Sequence, residues 1–169
     1  VLLFVNPGEG KVIYVDLNAT GSSDGSSWSN AYTSVLAALN AGADGDEIWV
    51  AEGSYRPARA PTGTGFNFTS RVALYGGFAG HETARSQRDW RANEVILRGP
   101  AQNGDICKHV IVGWRGANLD GVTVAYGDAR HALDPYDRRG GGLKQNTSGM
   151  NVENCVFRGN ERHGIFISN

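Results

Sequence analysis

The chain has 169 residues, 40% of them hydrophobic and 20% charged, with a formal net charge of −1. Those values fit one folded domain and exclude a disordered tail or a basic surface built for nucleic acid. The 24 glycines, about twice the ordinary share of ~7%, stand beside abundant Asn, Ser and Asp and a single Met. Such a chain turns often, which favours β-coils over a helical bundle. The longest apolar run, Val1 to Val5, is far short of the ~20 residues a membrane span needs. It reads as the first strand of the fold or as the remnant of an apolar export segment.

In chain order, residues 12–16 (VIYVD) alternate as a strand, and NATGSSDGSSWSN after them is a turn-rich loop. The period then changes. Tyr32, Val35, Leu36 and Leu39 fall at helical spacing, with Thr33 as N-cap and Gly42 as the residue past the C-terminus, so 34–41 is expected to be a short amphipathic helix with Tyr32, Leu36 and Leu39 buried. A lone helix just before a stack of coils is suited to cover the open first coil. The chain is therefore divided into a strand, loop and helical cap over 1–44 and coils over 45–169, within one domain.

From Gly45 onward the sequence alternates strand and turn. The apolar starts Ile48, Val72, Val95 and Leu119 recur in steps of 24, 23 and 24 residues, the length of one coil in a stacked β architecture. Further on, Gly142-Leu143-Lys144 matches Gly164-Ile165-Phe166 at 22 residues, whereas Asn118-Leu119-Asp120 matches Asn151-Val152-Glu153 at 33. The excess falls on 128–139, whose charges and Pro135 rule out a strand and predict a loop projecting from one coil. The glycine runs Gly76-Gly77 and Gly140-Gly141-Gly142 read as coil corners, since neither opens a helix as a phosphate loop must.

The segments YVDLNATGSSDGSSWSNAYTSVLAALNAGADGDEIWVAEGSYRP, LYGGFAGHETARSQRDWRANEVILRG, LDGVTVAYG, GGGL and NVENCVFRGN resemble the N-terminal coils of bacterial secreted right-handed parallel β-helix proteins of the pectin-lyase-like superfamily. The resemblance implies an all-β right-handed parallel β-helix with a short N-terminal capping helix, secreted or displayed on a bacterial cell surface. It implies less about activity, because the superfamily holds surface proteins and adhesins as well as polysaccharide lyases and hydrolases.

The candidate ligand-binding residues are Asp128, Arg130, His131, Asp134, Tyr136, Asp137, Arg138 and Arg139 on the insertion, with Lys144 beside it. Glu153, Arg158, Glu161, Arg162 and His163 lie on neighbouring turns. These groups either line a face that grips an acidic sugar or pair with one another on a solvated loop. Enzymes of this architecture need paired carboxylates, or Ca²⁺ held by acidic side chains with an Arg or Lys base. The sequence has no adjacent Asp-Asp pair, and Arg162-His163-Gly164 only grazes a Gly-His-Gly element. No cofactor is expected, with Ca²⁺ reserved for the lyase alternative, and no metal site is suggested. Among the aromatics, Tyr136 and Trp114 are expected as exposed platforms, and Trp49 and Trp90 as packing residues. Cys155 takes the place of Val122 one coil earlier, as a buried small residue or as half of a disulfide with Cys107.

The expected function is that of a non-catalytic scaffold, a carbohydrate- or partner-interaction module. The alternative is a polysaccharide lyase or glycoside hydrolase acting on acidic polysaccharide. The final apolar strand, Ile165, Phe166 and Ile167, would leave the last coil unmatched, which predicts a homodimer through that end.

Overall fold

Short runs of β-branched and aromatic residues, separated by Gly, Asn and Asp, favour brief strands joined by sharp corners. The computed structural model describes residues 10–57, 64–99, 107–129, 139–145, 149–162 and 164–167. In chain order it runs β1 (Val12–Val15), α1 (Val35–Ala41), β2 (Glu47–Ala51), β3 (Gly53–Tyr55), β4 (Thr64–Asn67), β5 (Ala73–Phe78), a 3-10 turn (Arg85–Gln87), β6 (Val95–Arg98), β7 (His109–Gly113), β8 (Asn118–Asp120), β9 (Thr123–Ala125), β10 (Leu143–Gln145), β11 (Asn151–Glu153), β12 (Val156–Arg158) and β13 (Ile165–Ile167).

These strands form three parallel sheets, ordered β1-β2-β5-β8-β11, β3-β6-β9-β12 and β4-β7-β10-β13. From β2 onward the chain visits the first, second and third sheet in rotation, four times. The fold is predominantly β, with one α-helix among the described residues, and is consistent with an all-β solenoid.

Register stacks like on like. Ile13, Ile48, Leu74, Leu119 and Val152 form one inward column. Tyr55, Leu97, Val124 and Phe157 form a second, and Phe66, Ile111, Leu143 and Ile165 a third. Most of these side chains belong to one buried cluster, each contributing about 1.5–3 kcal/mol of burial free energy. The Tyr55 hydroxyl, inside the core, donates to the Ala51 carbonyl at 2.8 Å.

The register shows which spacings were real. The 22-residue match is the pair Leu143 and Ile165, and the 33-residue match is Asn118 with Asn151. The series through Ile48, Val72, Val95 and Leu119 is not one ladder. Ile48 pairs with Leu74, Leu74 with Leu119, and Val95 belongs to the second sheet opposite Gly53. An apolar start looks alike on any of three faces, so an equal step carried the series onto the second sheet at Val95 and back to the first at Leu119.

The helix lies where it was expected, with different caps. Ser34, not Thr33, is the N-cap, its Oγ accepting from Ala37 N at 3.4 Å, and Gly42 is extended at φ −76° rather than left-handed. The buried face is Val35, Ala38 and Leu39, while Tyr32 and Leu36 are half-buried against the core. The helix contacts β1, β2 and β4. It stands beside β4, the edge strand of the third sheet, and so covers that end of the interior.

In the last coil Ile165 continues a core column yet is 44% exposed, and Ile167 is 53% exposed. Phe166 points the other way, with the Arg139 guanidinium 5.2 Å from its ring centre.

Candidate functional site

Two cavities lie at corners, where the chain passes from one sheet to the next. After β7 the chain turns through Trp114, Arg115 and Gly116, closed by Ala117 N donating to Trp114 O at 3.1 Å. Gly116 sits at φ +79°, where a side chain is strained, and a Cβ there would lie 2.9 Å from the Arg71 side chain. Glycine thus lets Arg71 lie against the corner. Gly116 N also donates to Gly149 O in the next coil at 2.8 Å, which fixes the turn from above.

The result is a cavity of about 540 Å³ lined, among the described residues, by Arg71, Trp114, Arg115 and Gly116. Trp114 is 49% exposed, presenting an indole to solvent. Arg71 is steadied by Asp44, whose carboxylate lies 3.2 Å from its Nε. Arg115 is exposed and has no ion pair among the described residues. An open aromatic face beside a guanidinium suits a ligand with a flat apolar side and a carboxylate or sulfate: the ring stacks and the fork takes the anion in bidentate fashion.

A second cavity, of about 270 Å³, lies at the next corner, between the first and second sheets. Its wall includes Trp90, Arg91, Glu94, Thr123, Asn154 and Val156. The Arg91 guanidinium lies 4.7 Å from the Trp90 ring centre. Glu94 Oε1 accepts from Thr123 Oγ1 at 2.7 Å and faces Arg158 at 3.3 Å.

The wall is held by the long connection from β5 to β6. Arg88 donates to the Asp120 carboxylate at 2.6 Å and to Gly76 O at 3.2 Å, and Asn154 Nδ2 donates to the other Asp120 oxygen at 2.8 Å. Arg85 pairs with Glu47 and donates to the Tyr75 hydroxyl at 3.0 Å. The Glu82 carboxylate, buried, accepts backbone N–H groups of Ala79, Gly80 and His81 at 2.6, 3.1 and 3.0 Å. Burial raises its pKa, but these hydrogen bonds outweigh that and hold the carboxyl below its ordinary value. On the outer side of the first sheet, Trp49 stacks on Phe78 at 4.7 Å, and Trp28 packs on Tyr14 and donates to the Glu82 carbonyl at 2.8 Å.

Of the residues singled out on the insertion, Arg130, His131, Asp134, Tyr136, Asp137 and Arg138 lie outside the described residues, as does His163. Asp128 bridges to Glu161 in parallel, and its N–H donates to Cys107 O at 2.7 Å. Arg139 and Lys144 meet around Phe166: Lys144 pairs with Phe166 in register, and Arg139 covers its ring. The structure therefore sets Arg139 and Lys144 beside Phe166 and places Asp128 at the other stem of the same insertion, where Gly127 and Gly141 approach closely over Glu161.

Trp114 is exposed as expected and Trp49 is packed; Trp90 is half-buried at a cavity wall. Arg71, Arg91, Arg115 and Glu94 were missed. For Arg91 and Arg115 a signal was present, the dipeptide Trp-Arg, which occurs as Trp90-Arg91 and Trp114-Arg115, once at each cavity.

Both cysteines are free. Burial pushes the Cys107 thiol up to about 12 and the Cys155 thiol up to about 11. Among the described residues no group of three or more His, Cys, Asp or Glu side chains is placed to hold a metal ion. Among the described residues no helix is long and apolar enough to cross a membrane.

No family model, curated protein or solved structure matches the chain.

Proposed function

We propose that the three sheets are the faces of a right-handed parallel β-helix of the pectin-lyase-like kind, that the chain acts outside a bacterial cell, and that it binds acidic polysaccharide without cleaving it. The observation that carries the reading is the corner cavity in which a half-exposed Trp114 stands beside Arg115 and the Asp44-braced Arg71. Stacking supplies affinity for a sugar ring and the guanidinium selects for a charged one. The test is binding of acidic and neutral polysaccharides to the native chain and to Trp114→Ala and Arg115→Ala variants. Acidic ligands should bind, both variants should weaken them at least tenfold, and the β-rich circular dichroism should be unchanged. Equal binding of the variants would overturn the assignment. Release of unsaturated products, with or without Ca²⁺, would replace a binding module by a lyase.

A second reading concerns self-association. The exposure of Ile165 and Ile167 on core-facing positions favours pairing of two chains through this end. Light scattering should then report a dimer, and Ile165→Lys should yield monomer; a monomeric wild-type mass at micromolar concentration would refute it.

A further inference from the structure

The two Trp-Arg corners bracket one strand. Gly116, in the wall of the larger cavity, lies two residues before β8, and Gly121, in the wall of the smaller, follows its last residue. Five residue steps, only the three-residue strand itself fully extended at ~3.3 Å per residue, keep them within roughly 16 Å of each other.

Strand alternation decides what lies between. Leu119 and Val152 point into the core, so Asn118 and Asp120 on β8, and Asn151 and Glu153 on β11, point outward. Asp120 is buried and held by Arg88 and Asn154, whereas Asn151 and Glu153 are exposed. The span between the cavities therefore offers side-chain amides and a carboxylate for hydroxyl groups, with an indole and a guanidinium at each end.

We infer that the two cavities are the ends of one bipartite site for an acidic oligosaccharide lying along β8 and β11, across the stack rather than down its length. One ring rests on Trp114 with its anion on Arg115. A second, several units away, enters the Trp90 cavity with its anion on Arg91. The sugars between lie over Asn118 and Asn151. This rests on the carbohydrate reading above and adds to it a minimum ligand length and a direction. Once one end is held, the other binds at a high effective concentration, so affinity must climb abruptly at the length that reaches both cavities.

Titration calorimetry with uronic-acid oligosaccharides graded in length from the disaccharide upward tests the inference. Affinity should step up on the order of 10²-fold at the spanning length. Both Trp114→Ala and Arg91→Ala should return the long ligand to the affinity of a short one, while the disaccharide responds to Trp114→Ala alone or Arg91→Ala alone according to the end it prefers. Trp90→Phe, which keeps a stacking face where the half-buried ring packs, should retain most of the step. A smooth rise without a step, or a long ligand indifferent to Arg91→Ala while sensitive to Trp114→Ala, would overturn the bipartite site and leave a single-cavity binder. Failure of every length to bind would instead sink the carbohydrate reading itself, and the bipartite site with it.

Discussion

The guanidinium of Arg88 lies 2.6 Å from the carboxylate of Asp120, both largely withdrawn from solvent, and joins the connection after β5 to β8 in the following coil. Removing one partner strands the other. Arg88→Ala should lower unfolding free energy by about 3–5 kcal/mol, because an unpaired buried carboxylate remains. Replacing both residues by apolar ones of similar volume should cost much less. Urea denaturation of the two variants measures the difference, and equal losses would contradict it.

Leu39 is fully buried in the cap, whereas Leu36 is half-buried. A helix this short depends on tertiary packing, so Leu39→Ala should destabilise by roughly 2–5 kcal/mol and Leu36→Ala by clearly less. A ranking in the opposite order, by chemical denaturation, would mean the helix covers the core by its other side.

Glu82 makes the acid limb of stability predictable. Its carboxyl titrates below the ordinary value in the folded chain, so its contribution is complete above the unfolded value of 4.5 and is lost as pH falls through the lower folded value. Glu82→Gln should flatten that part of the stability–pH curve and cost about 1–3 kcal/mol at neutral pH. An unchanged acid limb would show that the carboxylate does not hold the turn at Ala79 to His81.

Thiol reactivity follows from burial. With Cys107 pushed up to about 12 and Cys155 up to about 11, neither is appreciably thiolate near pH 8. A thiol-reactive chromophore should label the folded chain slowly and label both residues at once in denaturant. Fast labelling of folded protein would place a thiol at the surface.

The repeat was legible in the second half of the chain, where Asn118 to Glu153 repeats polar and apolar residues alike and so fixes a single register. It was misread in the first half, where only an apolar start was matched and Val95 was laid on the ladder of Ile48. The helix was legible from its period, but its cap was displaced by one residue because Thr33 and Ser34 are both acceptable acceptors. The cavities were the least legible part. Arg71 reaches Trp114 only because successive coils superpose their corners, a proximity no local pattern encodes. The Trp-Arg repeat was visible, yet a Trp inside a turn reads first as packing. Polar density drew attention to 128–139 instead, of which the structure describes the two ends.

The indole of Trp28 reaches across 54 positions of chain to the Glu82 carbonyl, and this bond passes over the ladder of β1, β2 and β5 rather than along it. A linear array whose members touch only their neighbours comes apart like a zip, one rung at a time from a free end. Here the entry loop is fastened beyond the first rung, and the ring stack of Tyr14, Trp28, Trp49 and Phe78 closes the same bracket. The N-terminal rungs must let go together, so amide protons of β1, β2 and β5 exchange through one shared opening event.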